Sequence, residues 1–143
     1  MQGQFSPDGR LVAYSSDESG RFEVYVRPYP PGPNKWKVSL NGGHRPRWRR
    51  DGKELFFLTP EGKLAAASVK AVTSAGPRPV FESAAPQEMF NAGVRGYVSS
   101  TAFFVYSVSA DGKRFLVNTA EAAAADTPLT VVVNWRKAVA SDK

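Results

Sequence analysis

Three stretches of this chain repeat one local design: "SPDGRLVAYSS" at residues 6–16, "RRDGKELFFLT" at 49–59 and "SADGKRFLVNT" at 109–119. Each is a tight-turn tetrapeptide followed by a short β-forming run. A chain punctuated in this way can fold into little other than sheets of short antiparallel strands. In the first copy Pro7 presets φ for the second turn position, and Asp8 suits the third through local hydrogen bonding. Gly9 supplies the left-handed backbone that starts the next strand through a bulge. The other copies put Arg50 and Ala110 in the proline position but keep Asp51-Gly52 and Asp111-Gly112, as expected if turn geometry is what is preserved. A calcium loop needs several closely spaced acids, whereas each copy offers one carboxylate with Arg or Lys beside it. Asp8, Asp51 and Asp111 are therefore read as hairpin corners, and no metal site or cofactor is expected.

The first two corners lie about 43 residues apart and the second and third about 60, a unit of about 40–45 residues with an insertion before the third copy. That is the length of a four-stranded propeller blade. The first unit has β-rich runs at Arg10 to Ser16, Phe22 to Arg27 and Lys35 to Leu40, with "DESGR" and "PYPPGPN" as breaks. The second has Arg45 to Arg49, Lys53 to Thr59 and Lys63 to Val69, with a further strand near Pro79 to Glu82. The third has Phe103 to Ser109, Lys113 to Thr119 and Leu129 to Trp135, with no convincing strand after it. Between Lys70 and Ser100, "QEMFNAGVRGY" has room for one helical turn before Gly93 and Gly96 cut it, and "AEAAAADTP" reads as a loop with a helical turn. The expected fold is all-β: about three four-stranded antiparallel blades of a β-propeller, incomplete as a single chain. Residues 1–41 form the first blade with a short inner strand, 42–85 the second, 86–102 a connecting segment, and 103–143 a last blade lacking its outer strand.

"FSPDGRLVAYSSDESGRFEVYVRPYP" and "GGHRPRWRRDGKELFFLT" resemble the β-propeller repeats of the TolB type, which are WD-repeat-like in length. More narrowly, they are similar to the propeller at the C-terminal end of many bacterial transmembrane serine/threonine protein kinases. "VSADGKRFLVNTAEAAAADTPLTVVVNW" resembles the closing blade of those propellers. The resemblance covers nearly the whole chain and is specific for fold rather than ligand, since the repeat also occurs beside peptidase domains. It implies a periplasmic or extracytoplasmic setting. Propellers close with about 4–8 blades, so about three must be completed by the rest of a longer chain or by another copy. The start "MQGQFSPDGR" falls inside the repeated unit, as in a piece of a longer array. Two copies would make a six-bladed homodimer.

Catalysis finds little purchase in the sequence. There is no cysteine and a single histidine, His44. The G-x-S-x-G elbow of a serine hydrolase is absent, and His44-Arg45-Pro46 lacks the base of a kinase H-R-D. No apolar run reaches the roughly 18–20 residues that span a bilayer, so no direct membrane insertion is expected. The net charge of +6 favours anionic partners but is modest for a nucleic-acid binder. Trp36, Trp48 and Trp135 fall within strand patterns that need bulky core residues, so no nucleic-acid partner is expected. Phe56-Phe57 and Phe103-Phe104 put consecutive rings on opposite faces, as in sheets covered on both sides.

The one ligand-like feature is basic. Strand alternation places Arg45, Arg47 and Arg49 on one face and Pro46 and Trp48 on the other. In TolB-like blades the strand before the corner is innermost, which puts the three guanidiniums, with His44, at the central channel, where they could hold a carboxylate or phosphate. The competing reading pairs them with acidic neighbours such as Glu54 and Glu61, and takes His44 as a solvated or hydrogen-bonded loop residue. The function expected is a non-catalytic module binding a protein, peptide or small ligand, self-associating to complete a ring and serving as the sensor end of a kinase. The alternative is a substrate-gating or accessory propeller portion of a peptidase or kinase whose catalytic domain lies outside this chain.

Overall fold

Each Asp-Gly corner links two antiparallel strands, and the three hairpins so formed seed three sheets. The computed structural model describes residues 3–73, 80–94, 105–119 and 130–133. The first sheet contains β1 (Gly3–Phe5), β2 (Leu11–Ser16), β3 (Glu23–Pro28) and β4 (Trp36–Lys37) in that order. The second contains β5 (His44–Trp48), β6 (Glu54–Leu58) and β7 (Lys63–Thr73), followed by β8 (Val80–Ser83) and β9 (Gln87–Asn91), both on β7. The third contains β10 (Tyr106–Val108), β11 (Arg114–Val117) and β12 (Thr130–Val133). Among the described residues every pairing is antiparallel, no sheet closes on itself and there is no helix.

Gln87–Asn91 corrects the reading from sequence, which places a connection with a helical turn here. It is a strand because β7 is longer than its apolar run. One stretch of β7 carries β9 through Lys63↔Asn91 and Ala66↔Gln87. The next carries β8 through Val69↔Ser83 and Thr73↔Val80. Two short strands thus satisfy successive stretches of one long edge, which would otherwise leave its N–H and C=O groups unpaired. Phe103, Phe104, Trp135 and the segment "AEAAAADTP" lie outside the described residues.

The sheets pack face to face in chain order. Leu11, Ala13, Val24, Val26 and Val38 of the first sheet meet Trp48, Leu55, Phe57 and Phe81 of the second. Phe56, Leu58, Leu64 and Met89 of the second meet Tyr106, Phe115 and Val117 of the third. β6, "ELFFL", is buried at all five positions because cores lie on both its sides. In register beside it, Ala65 and Ala67 flank Phe57 and Leu55, and Ala66 flanks Phe56. Small residues on β7 leave room for rings arriving from the neighbouring sheets. Trp48 fixes the first junction: its backbone N–H donates to the Gln4 side-chain oxygen at 2.8 Å and its indole N–H to the Gln4 carbonyl at 3.2 Å. Phe81 lies edge-on to it with centroids 6.2 Å apart.

Candidate functional site

The three corners are built alike. The glycine N–H donates to the first turn residue's carbonyl at 2.9 Å in each, from Gly9 to Ser6, Gly52 to Arg49 and Gly112 to Ser109. The glycines have φ of 72°, 74° and 71°. Asp8, Asp51 and Asp111 each accept from the backbone N–H two residues on, at 3.1, 3.0 and 3.0 Å. Ser6 and Ser109 donate their hydroxyls to the same carboxylates at 2.6 and 2.5 Å. Those bonds hold Asp8 and Asp111 below the usual carboxylate range. In the second corner Arg49 replaces the serine: its Nε and Nη2 each lie 2.6 Å from a different Asp51 oxygen, and they hold Asp51 down to about 2.

The corners also sit side by side. A Cβ on Gly112 would come within 2.5 Å of the Arg49 Cδ, and one on Gly52 within 3.8 Å of Pro7. A cavity of about 380 Å³ lies between the first two corners, with Leu11, Trp48 and Val69 among its lining and Asp8 and Asp51 in its wall. Both carboxylates are engaged by their own turns, so the cavity is a crease between corners. Among the described residues, no three His, Cys, Asp or Glu side chains gather as a metal-ligating group.

The three arginines differ in backbone and in partners. Register slips between His44 and Arg47, and Arg45 takes the left-handed φ of 58° at the bulge. The bulge interrupts the pairing at Arg45, while Pro46 and Trp48 stay buried and Arg45, Arg47 and Arg49 half-buried, the rhythm that alternation predicts. Arg49 belongs to the corner, with its Nη1 donating to the buried Glu54 at 2.6 Å in addition to the Asp51 pair. Glu54 is thus a partner as expected. Glu61 takes its hydrogen bond from Thr59 instead, which holds its carboxyl below the usual range.

Arg45, Arg47 and His44 remain together, and a residue that sequence reasoning does not single out joins them. Tyr106, the first residue of β10, donates its hydroxyl to the Arg45 carbonyl at 2.8 Å, and the Arg47 guanidinium lies over its ring at 5.9 Å from the centroid. Burial raises the Tyr106 hydroxyl far above the ordinary phenol range, so it remains a neutral donor. Burial and the nearby Arg47 charge lower Arg45. Burial, with Arg45 beside it, lowers His44 to about 4, leaving the imidazole neutral at pH 7. His44, Arg45 and Arg47 are half-buried and Tyr106 is buried, and the four lie on the first strands of two adjacent sheets. No sequence signal links Tyr106 to Arg45, because their contact joins positions far apart in the chain.

A second charged assembly closes the connection from β4 to β5. Glu23 is only 1 % exposed. One oxygen takes Arg21 at 2.8 Å and Lys37 at 3.4 Å. The other accepts from the Ser39 hydroxyl and from the Gly42 N–H at 3.0 Å. Burial works to raise this carboxyl, but the bonds from Ser39, Arg21 and Lys37 outweigh it and hold it below the usual range. Glu23 therefore anchors the loop that delivers His44 and Arg45.

No protein-family model matches the chain, and no curated protein matches it as a relative. The class of molecule defined by its fold is an all-β protein of consecutive, face-packed antiparallel sheets.

Proposed function

We propose that the three sheets are consecutive blades of an incomplete β-propeller, and that the chain is a non-catalytic binding module whose ring a second copy completes to six blades. The observation that carries this reading is the contrast between the middle sheet and its neighbours. Sheet two is covered on both faces, through Phe57 on one side and Phe56 on the other. The first sheet turns Phe5 away from that core at 51 % exposure, where it packs edge-on against Tyr29, itself 52 % exposed. The third sheet leaves Leu116 47 % exposed beside Ser107 and Arg114. Apolar groups placed this way fit faces awaiting further sheets. The resemblance of the repeats to TolB-type propellers supports the same reading and favours a protein, peptide or small ligand over a reaction.

Size-exclusion chromatography with light scattering tests it. The expected mass is twice the 15.6 kDa of one chain, falling to one chain's mass in Leu116→Asp. A compact monomer at all concentrations would overturn the self-association.

A further inference from the structure

The three hairpins share one register across their corners. Phe5 pairs with Val12, Trp48 with Leu55 and Val108 with Phe115. Trp48 and Leu55 pack against the first sheet, and Val108 and Phe115 against the second. The counterpart Phe5 therefore points to where a preceding sheet would lie, and it is 51 % exposed where Trp48 is 6 % exposed.

Trp48 shows what seats a ring at this position. Gln4 accepts from both of its N–H groups, and Leu11 and Ala13 share its core. Counted from the corner, the third sheet's counterparts of Gln4, Leu11 and Ala13 are Ser107, Arg114 and Leu116. These three line a hollow of about 250 Å³ on the sheet's uncovered face. An apolar cavity of about 150 Å³ already accepts benzene, so the hollow has room for a phenyl ring. We infer that this hollow is the seat for the Phe5 ring of a second copy, which there takes the place that Trp48 takes within the chain. The inference rests on the reading of the chain as half of a ring, and it names the contact that joins the halves.

The ring and its seat stand at opposite ends of one stack of three sheets. Two copies related by a two-fold axis thus offer each other both, and the contact closes on itself. Phe5 lies edge-on to Tyr29, an aromatic pair that suits the exposed Arg114 guanidinium at the hollow. The corners repeat the pattern. A Cβ on Gly52 approaches Pro7 of the corner before it and one on Gly112 approaches Arg49, whereas one on Gly9 meets nothing within 4 Å. Gly9 is open to a preceding corner, and Ser109 of the third corner borders the hollow. On the face of Phe5 and Val12, Arg27 holds a buried Nε with no hydrogen-bond partner among the described residues, a donor that a covering sheet can satisfy.

Sedimentation of the full chain tests the seat. Phe5→Ala removes the ring and Leu116→Trp fills the hollow, each at an exposed position. Either variant alone should dimerise at least about tenfold more weakly than the parent. An equimolar mixture should associate more tightly than either alone, because the mixed pair keeps one intact seat, and a variant that had lost its fold would not be rescued in this way. Phe5→Trp, which copies Trp48, should dimerise as the parent does. The chain has no cysteine, so Gly9→Cys and Ala110→Cys each introduce a sole thiol. A short bis-maleimide should link the mixture of these two into a covalent dimer and neither variant by itself.

Gly9→Cys linking to itself would put like face on like face, which overturns the seat and keeps self-association. Dimers of Phe5→Ala as tight as the parent's, or a mixture without rescue, would likewise sink the seat alone. A parent chain that stays monomeric sinks the ring reading and the seat with it.

Discussion

Phe56 and Phe57 are adjacent in sequence and buried in different cores, Phe57 against the first sheet and Phe56 edge-on to Phe115 of the third at 5.1 Å. One peptide unit of β6 therefore couples three sheets. Truncating either ring removes a fully buried aromatic and leaves a cavity, which costs about 3–5 kcal/mol. The two losses differ in place. Phe57→Ala should speed amide exchange in β2 and β3, and Phe56→Ala in β10 and β11. Exchange that rises equally in both outer sheets for both variants would show that β6 does not separate two cores.

The corner glycines share a backbone but not a neighbourhood. A Cβ added at Gly9 would meet nothing within 4 Å, whereas one at Gly112 would meet the Arg49 Cδ at 2.5 Å. Arg49 cannot easily swing aside, because Asp51 and Glu54 hold its guanidinium. Gly9→Ala should therefore cost about 1–2 kcal/mol, the penalty of left-handed backbone alone. Gly112→Ala should cost more, and urea unfolding midpoints of the two variants check the order.

The corner aspartates set a direction for acid unfolding. Their carboxyls are lowered in the fold, Asp51 to about 2, against about 3.9 in an unfolded chain. A carboxyl lowered by folding contributes its full stability above the unfolded value and loses it as pH falls through the folded one. Stability should thus decline from about pH 4 towards pH 2. Asp51→Asn should remove its share of that slope, and added salt should weaken the exposed pair. Urea midpoints of the variant and the parent from pH 2 to 7 provide the comparison. A variant with an unchanged slope would show that Asp51 does not titrate in this window.

Local chemistry was legible in the sequence, and long-range pairing was not. The corners, the β6 run and the core place of Trp48 follow from turn residues and apolar rhythm, which act within a few positions. β9 escaped because "QEMFN" has no β-branched residue, and it is a strand only because β7 offers it an edge. The bulge in the arginine row is hidden for a different reason. Alternation assumes an unbroken strand, and nothing about Arg45 as a residue type announces φ of 58°. Tyr106 and Glu23 were missed because their roles are set by contacts with distant chain. In "FEVYVR" the glutamate reads as the wet side of an amphipathic strand, yet it is sealed by Arg21, Lys37, Ser39 and Gly42.

Glu23 supplies the last prediction. Its removal strands the Ser39 hydroxyl and the Gly42 N–H in a buried place, while Arg21 and Lys37 can turn to water because they are about half exposed. The loss is therefore smaller than for a fully enclosed ion pair, and Glu23→Ala should cost about 2–3 kcal/mol. Glu23→Gln keeps one acceptor oxygen and should lie between that variant and the parent. Because the Glu23 carboxyl is lowered in the fold, the parent's stability from it is complete above about pH 4.3, the unfolded value, and is lost as pH falls below. Both variants should narrow the gap to the parent in acid. The loop from Ser39 to Gly43 leads directly into His44, so amide exchange there should rise in Glu23→Ala before the rest of the first sheet opens. Exchange that rises throughout the sheet at the same rate would mean that Glu23 supports the sheet as a whole rather than the approach to Arg45.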